Sequence, residues 1–284
     1  MLVDASYTVP LVKVAQHSDI ALADDVVATE EPLEIRLTYG PLANRQTQNV
    51  AVTMRTPGHD AELAIGFLFT EGIIQNQNDI LSSQHAFIAC AENRENVIVV
   101  ELQPGVAPNL GKADRNFYTT SSCGVCGKSS IGAIRTVSAY AGTSADDFVI
   151  DADVLYQLPN TLRFHQEVFD STGGLHASAL FTSNGELLEL REDVGRHNAL
   201  DKLIGVSLNN NWLPVANKVL LLSGRISFEL VQKAAMAGIS IIAAIGAPSS
   251  LAVQLAQEFN ITLVGFLRQQ RFNIYNAAHR VKTA

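Results

Sequence analysis

Apolar and polar positions change rhythm along this chain, and the changes divide it. Val26 to Tyr39 and Asn49 to Arg55 alternate as half-buried strands do. Thr56-Pro57-Gly58-His59-Asp60 then interrupts the pattern, with Asp60 placed to cap a helix over Ala61 to Phe69. His85 to Ala91 and Val97 to Leu102 are further strand candidates, and residues 1–25, lacking such a pattern, predict a loose arm. Pro104-Gly105-Val106-Ala107-Pro108-Asn109-Leu110-Gly111 breaks both periodicities. A domain boundary falls there, giving a smaller strand-rich α+β domain over 26–110 and a second domain over 111–284.

The second part reads differently. Ile131 to Tyr140 and Val154 to Phe169 predict helices, the latter with Asp151 or Asp153 near its start. His176 to Thr182 and Glu186 to Leu190 flank Ser183-Asn184-Gly185, a hairpin signal. Helices over Ala199 to Leu208, Phe228 to Ala237 and Leu251 to Phe259 then alternate with short apolar strands, Val219 to Leu222, Ile239 to Ala244 and Ile261 to Phe266. This alternation predicts an α/β layer with a mixed, partly parallel sheet.

Composition narrows the function classes. A chain of 284 residues, 47% hydrophobic and 17% charged, suits a compact fold, and three cysteines make no disulfide framework. Net charge of −8 leaves no global basic footprint for nucleic acid, so an anionic ligand needs local cations. Such cations gather late: no acidic side chain follows Glu258, whereas Arg268, Arg271, Arg280 and Lys282 do. The N-terminus has no signal-peptide pattern, and the longest apolar run, Ile239 to Ala247, is too short for a bilayer of about 20 residues. A reducing cytoplasm with no membrane partner is the expected setting.

Two of the three cysteines stand in Thr120-Ser121-Ser122-Cys123-Gly124-Val125-Cys126-Gly127-Lys128. Gly and Ser padding around a Cys-x-x-Cys predicts a loop, residues 121–128, that offers sulfur to something else. Three loops follow strands of the α/β part: Ser223-Gly224-Arg225-Ile226-Ser227, Gly246-Ala247-Pro248-Ser249-Ser250, and Arg268-Gln269-Gln270-Arg271. Ligands bind outside the carboxyl ends of such strands, and helix N-termini favour anions. Ser223, Ser227, Ser249 and Ser250 offer hydroxyls, and Arg225, Arg268 and Arg271 offer guanidinium forks, so a phosphate-bearing ligand fits. Ser227 and Ser249 read equally well as helix caps.

Other motifs compete. Cys126-Gly127-Lys128-Ser129 ends like a phosphate-binding P-loop, but that motif needs Gly where this chain has Ser122. His165-Gln166-Glu167 is similar to the His-x-Glu of zinc deaminases, yet the cysteines precede it and no second ligand pair exists; no metal site is expected. His165 and Glu167 fit a helix surface, and Cys90 fits buried packing. Thiol chemistry remains, either as sulfur transfer or as disulfide exchange, without the aromatic and proline context of a thioredoxin site. Thr172-Gly173-Gly174-Leu175-His176 is a turn ending in a histidine. Arg191 to Lys202 crowds seven ionisable groups between strand and helix, either as solvated charges at a helix start or as an ordered polar site.

Ser122-Cys123-Gly124-Val125-Cys126-Gly127, Thr172 to His176, Arg191 to Lys202, Ser223 to Glu229 and Ala247 to Ala252 occur in the order of the FdhD family, the formate dehydrogenase accessory sulfurtransferases, which the chain resembles from about Val26 to Tyr275. The resemblance implies a cytidine-deaminase-like three-layer fold for the second part. It implies transfer of sulfur from a cysteine desulfurase to the molybdenum bis(molybdopterin guanine dinucleotide) cofactor before its insertion into formate dehydrogenase. On it, Cys123 carries the persulfide and Cys126 is the assisting thiol. Phe266, Leu267, Arg268, Gln269, Gln270 and Arg271 match the cofactor-binding stretch, although many relatives carry Gly within the 269–270 pair. Arg225 is a further candidate, GDP is the expected mimic of the ligand, and a homodimer is implied. Two other classes stay open: a cofactor-binding chaperone that moves no sulfur, and a metal-binding structural or hydrolytic protein.

Overall fold

The computed structural model describes residues 4–16, 20–86, 96–110, 140 and 147–283. Its N-terminal residues are not a loose arm. β1 (Ser6–Lys13) pairs antiparallel with β2 (Ala21–Ala28), and the ribbon closes at its base where Thr29 N–H donates to the Ala5 carbonyl at 2.9 Å. The alternation expected over Val26 to Tyr39 therefore belongs to two strands, β2 and β3 (Glu31–Tyr39).

β4 (Gln46–Arg55), α1 (Asp60–Thr70), β5 (Ile80–His85) and β6 (Val97–Leu102) complete the strand-rich part. Its sheet runs β4-β3-β6-β5, with β3 parallel to β6 and the outer pairs antiparallel. β5 ends at His85, and of the strand expected over His85 to Ala91, residues 87–91, Cys90 among them, lie outside the described residues. Asp60 is not the helix cap. His59, in left-handed conformation at φ 58°, occupies that position, and the Asp60 carboxylate accepts from Arg55 Nε and Nη2 at 3.0 Å each. An acid suited to capping is here held by a buried arginine.

The second part comprises β7 (Ile150–Asp151), α2 (Ala152–His165), α3 (Glu167–Thr172), β8 (His176–Phe181), β9 (Leu187–Asp193), α4 (Arg196–Asn209), β10 (Val219–Leu222), α5 (Phe228–Met236), β11 (Ile241–Ala244), α6 (Ser250–Glu258), β12 (Thr262–Arg268), β13 (Arg271–Asn276) and β14 (Val281–Lys282). Asp151 caps α2 by accepting from Asp153 N–H at 3.0 Å. The single helix expected to Phe169 breaks at Gln166, because the Glu192 carboxylate binds the Val168 and Phe169 amides at 3.0 and 2.9 Å and anchors a fresh start. The helix expected over Ile131 to Tyr140 falls, but for Tyr140, outside the described residues.

Six strands lie in the order β13-β12-β11-β10-β8-β9, with β10, β11 and β12 parallel and every other pairing antiparallel. The sheet is mixed, as its pattern predicts. Leu220, Leu222, Ile242, Ala244 and Leu263 share one core with α4, α5 and α6, while Val219, Leu221, Ile241, Ala243 and Val264 share another with α2. Helices thus cover both faces, which is why β10 and β11 are apolar throughout.

The two sheets share one apolar interior. Leu33, Ile35, Leu37 and Val100 share one core with Leu203, Leu220 and Leu230. α1 crosses α4 with backbones in contact: a Cβ on Gly66 would lie 1.9 Å from the Asp201 carbonyl oxygen, and one on Gly205 would lie 2.0 Å from that of Glu62. Buried polar groups brace this crossing. Lys233 Nζ meets Asp201 at 3.0 Å and Thr70 Oγ1 at 2.9 Å, and Thr70 donates to Asp201 at 2.8 Å.

Candidate functional site at the carboxyl edge of the sheet

Parallel order puts the carboxyl ends of β10, β11 and β12 on one edge, and α4, α5 and α6 all begin there. The loops at this edge are joined through their main chains. Gly246 N–H donates to the Gly224 carbonyl at 3.0 Å, Ile226 N–H to Ala247, Ser249 N–H to Ile226, and Phe266 N–H to Gly246, each also at 3.0 Å. The approach is close enough that a Cβ on Gly246 would sit 2.6 Å from the Gly224 oxygen. Glycine is required at 246 on that ground alone.

The four serines divide by use. Ser223 Oγ accepts from Ala177 N–H at 2.8 Å, prolonging the β8–β10 ladder, and Ser249 Oγ caps α6 through Ala252 N–H at 3.2 Å. Ser227 stands at the cap position of α5 but makes no cap bond. Its hydroxyl faces His197 Nε2 at 3.3 Å, and that nitrogen lies 3.8 Å from Glu229 Oε2. The His197 hydrogen bond, assisted by the Glu229 and Ser227 donors against the opposing effect of burial, holds the Glu229 carboxyl down at about 2.

The expected cofactor stretch is only partly available to a ligand. Leu267 is 0% exposed within the core on the α2 side, so its side chain cannot touch a ligand. Arg268 Nη1 donates to the Ile245 and Leu267 carbonyls at 2.6 and 2.8 Å, and Gln269 Nε2 reaches Asn160 of α2 at 2.9 Å. Gln270 and Arg271 are exposed in a tight β12–β13 hairpin, with Arg268 opposite Arg271, where a ligand loop was expected. Phe266 is 42% exposed with φ 53°, in a register shift between Gly265 and Arg268. A bulky residue held left-handed is the kind of strain that collects at binding sites.

Arg225 stands in the loop after β10. It lies, with Arg196 and His197, within electrostatic reach of His176, whose Nδ1 would be 3.2 Å from a Cβ on Gly224. Burial first, then Arg196, His197 and Arg225, push the His176 imidazole below its ordinary value, with Asp193 opposing. His176 ends the Thr172 to His176 turn and Arg196 and His197 belong to the charged run, so the signal was present in sequence without its partners.

Most of that charged run is bracing. Asp193 is fully buried against Lys202 Nζ at 2.7 Å and accepts from Gly195 N–H at 2.8 Å, Thr56 N–H at 3.2 Å and Asn198 Nδ2 at 3.2 Å. Lys202 also donates to the Thr56 carbonyl at 2.9 Å, and Arg191 forks onto Glu62 at 2.5 and 2.9 Å while also pairing with Glu189. Solvated charge is therefore the wrong picture of these groups. His165 and Glu167 are exposed on α2 and α3, as their sequence suggests.

Cys123 and Cys126, with the whole 121–128 loop, lie outside the described residues. Among the described residues no group of three His, Cys, Asp or Glu side chains is placed to hold a metal ion, and no helix is long and apolar enough to cross a membrane.

A model of the FdhD/NarQ family matches residues 28–282. The sulfur carrier protein FdhD of Streptomyces coelicolor is 50% identical over 264 residues, 92% of this chain and 91% of its own. That of Mycolicibacterium paratuberculosis is 52% identical over 260 residues, 90% of this chain and 92% of its own. A crystal structure from Desulfotalea psychrophila, described as a formate dehydrogenase accessory protein, superposes with a TM-score of 0.72 at 25% identity, covering 98% of this chain and 100% of that one.

Proposed function

Because the chain belongs to the FdhD/NarQ family, we propose that it is a sulfur carrier in formate dehydrogenase maturation. The observation that carries this is half-identity with sulfur carrier proteins over nine-tenths of both chains, joined to the Cys123-Gly124-Val125-Cys126 motif. The donor is a cysteine desulfurase, and the recipient is the molybdenum bis(molybdopterin guanine dinucleotide) destined for formate dehydrogenase. The cytoplasmic setting and homodimer implied by the family belong to the same proposal.

Two exchanges account for the atoms and electrons. The Cys123 thiolate attacks the outer sulfur of the desulfurase persulfide; a new S–S bond forms at Cys123 as the old one breaks, and the desulfurase thiolate leaves. Once the cargo is in reach, the Cys126 thiolate attacks Cys123 Sγ. A Cys123–Cys126 disulfide forms, and the outer sulfur departs as hydrosulfide with the bonding pair, in the oxidation state of a metal ligand. The two electrons come from the Cys126 thiol, and a cellular dithiol resets the disulfide by exchange.

The test is incubation with a cysteine desulfurase and cysteine, followed by intact mass measurement. A gain of about 32 Da per sulfur, removed by reductant and absent in Cys123→Ala, is the expected result. An unmodified wild-type protein that still binds GDP overturns sulfur transfer in favour of a cofactor-binding chaperone.

A further inference from the structure

Among the described residues the β1–β2 ribbon pairs with no other strand. β2 packs against α3, and a Cβ on Gly174 would lie 3.5 Å from that of Ala28. Side chains alternate across a strand, so the register Val12↔Leu22 sorts the ribbon into two faces. Val9, Leu11, Ala23 and Val27 share one face and are half-buried. The other face carries Pro10, Val12, Leu22 and Asp24, and continues past the strand ends to Val14 and Ile20. Here Val12 is 54% exposed, Val14 74%, Ile20 72% and Leu22 88%. Four aliphatic side chains in two cross-strand rows thus stand in solvent, on a two-stranded ribbon of a kind that is marginal in water by itself.

Both edges of the ribbon are closed to a further strand. The bond from Thr29 N–H to the Ala5 carbonyl at 2.9 Å sets which backbone groups point inward, and by alternation those of Pro10 and Val26 point outward. Pro10 has no N–H to offer, and the Val26 N–H is taken by the Asp25 carboxylate at 2.9 Å. A partner therefore meets the face and not the edge. That face is about one helix wide. Its two strands lie ~4.8 Å apart and its two apolar rows ~7 Å apart, close to the ~6 Å between helix residues four apart.

Charge and area decide among the occupants. Asp24 stands beside Leu22 on the exposed face, and Lys13, the sole lysine or arginine among the ribbon's described residues, is on the opposite one. Two copies packed face to face would bring their Asp24 carboxylates onto one small interface, and four side chains fall short of the ~800 Å² per partner of a stable one. An anionic lipid surface is repelled by the same carboxylate. We propose that this ribbon face docks an amphipathic helix of a partner protein, whose aliphatic stripe is bordered by Lys or Arg. A small apolar contact steered by charge suits a partner that binds and leaves. Docking of this kind does not depend on the sulfur relay.

A synthetic amphipathic helix of Leu and Lys, its counterpart with Glu in place of Lys, and a Ser/Lys peptide of equal charge, each titrated with the full chain by fluorescence anisotropy, test the face. The Leu/Lys helix binds and the other two do not. Leu22→Ser and Ile20→Ser each weaken its binding by about tenfold or more. Asp24→Asn weakens it by about threefold and flattens its dependence on salt. Leu81→Ser, at an aliphatic residue 51% exposed on β5, has no effect. Leu22 and Ile20 lie in solvent, so the melting temperature of their variants stays that of wild type. Failure of the Leu/Lys helix to bind overturns the proposal, as does binding that survives Leu22→Ser or tolerates Glu for Lys. So does a wild-type dimer that Leu22→Ser renders monomeric in sedimentation velocity, which gives the face to a second copy. Flotation with phosphatidylcholine–phosphatidylglycerol vesicles that Leu22→Ser abolishes gives it to lipid and overturns the proposal equally.

Discussion

The His197 Nε2 atom stands 3.3 Å from the Ser227 hydroxyl, so the first turn of α4 is tied to the start of α5 across 30 residues of sequence. Glu229, on the first turn of α5, completes the contact at 3.8 Å.

That contact has a pH signature. The Glu229 carboxyl is drawn from 4.5 to about 2 in the folded protein, chiefly by His197. A depressed folded value means that ionised Glu229 stabilises the fold above the unfolded pKa and ceases to do so as pH falls toward the folded one. Wild type is therefore more stable than Glu229→Gln at pH 6, and the difference fades as pH drops through 4.5 toward 2. Urea midpoints measured across that range check it; a difference independent of pH refutes the coupling.

Leu267 and Phe266 are neighbours with opposite consequences. Leu267→Ala empties a core position and lowers stability by about 2–5 kcal/mol, while the protein that remains folded keeps its affinity for GDP. Phe266→Gly relieves a left-handed conformation worth about 1–2 kcal/mol and adds unfolded-chain freedom worth about 0.5–1 kcal/mol, so stability shifts little. Its GDP affinity falls. Thermal melts paired with calorimetry separate the two.

The α1–α4 crossing admits no side chain at Gly66. Gly66→Ala forces a methyl into the Asp201 carbonyl and separates the helices, with a loss of about 3 kcal/mol or outright failure to fold. Gly58→Ala, at a glycine whose Cβ would meet nothing within 4 Å, tests the left-handed backbone cost alone and loses about 1–2 kcal/mol. Urea denaturation of the pair distinguishes crowding from backbone preference.

Lys202→Met removes the cation from a buried carboxylate and lowers stability by about 3–5 kcal/mol. Adding Asp193→Asn to Lys202→Met recovers part of that loss, because a neutral amide needs no counter-ion. A double variant as unstable as the sum of the singles would mean that the two residues act independently.

Elements whose burial is complete were the most legible in sequence. Val219 to Leu222, buried throughout, is a strand at the limits its apolar run predicts. Asp60 was misplaced because capping and pairing with Arg55 suit the same residue, and the choice depends on a strand packed beside the helix. β13 was missed because Arg271 reads as a ligand group when the strand pairing of β12 is unknown.

The candidate site was legible in its loops and not in its centre. Arg225 is visible as a loop arginine, but its neighbours His176 and Arg196 sit on elements whose adjacency follows from antiparallel β8 and β9 joining the parallel strands. The charged run misleads for a similar reason. Asp193 and Lys202 find partners at Thr56, in the other sheet's half of the chain, which no local pattern announces.

The joining of the edge loops through Gly224, Ile226, Gly246 and Phe266 has an evolutionary consequence. These bonds are made by amides and carbonyls alone, so exchanging the side chain at 225 or 247 leaves the joinery in place. A lineage can change the chemistry of this edge by single substitutions, without rebuilding its frame.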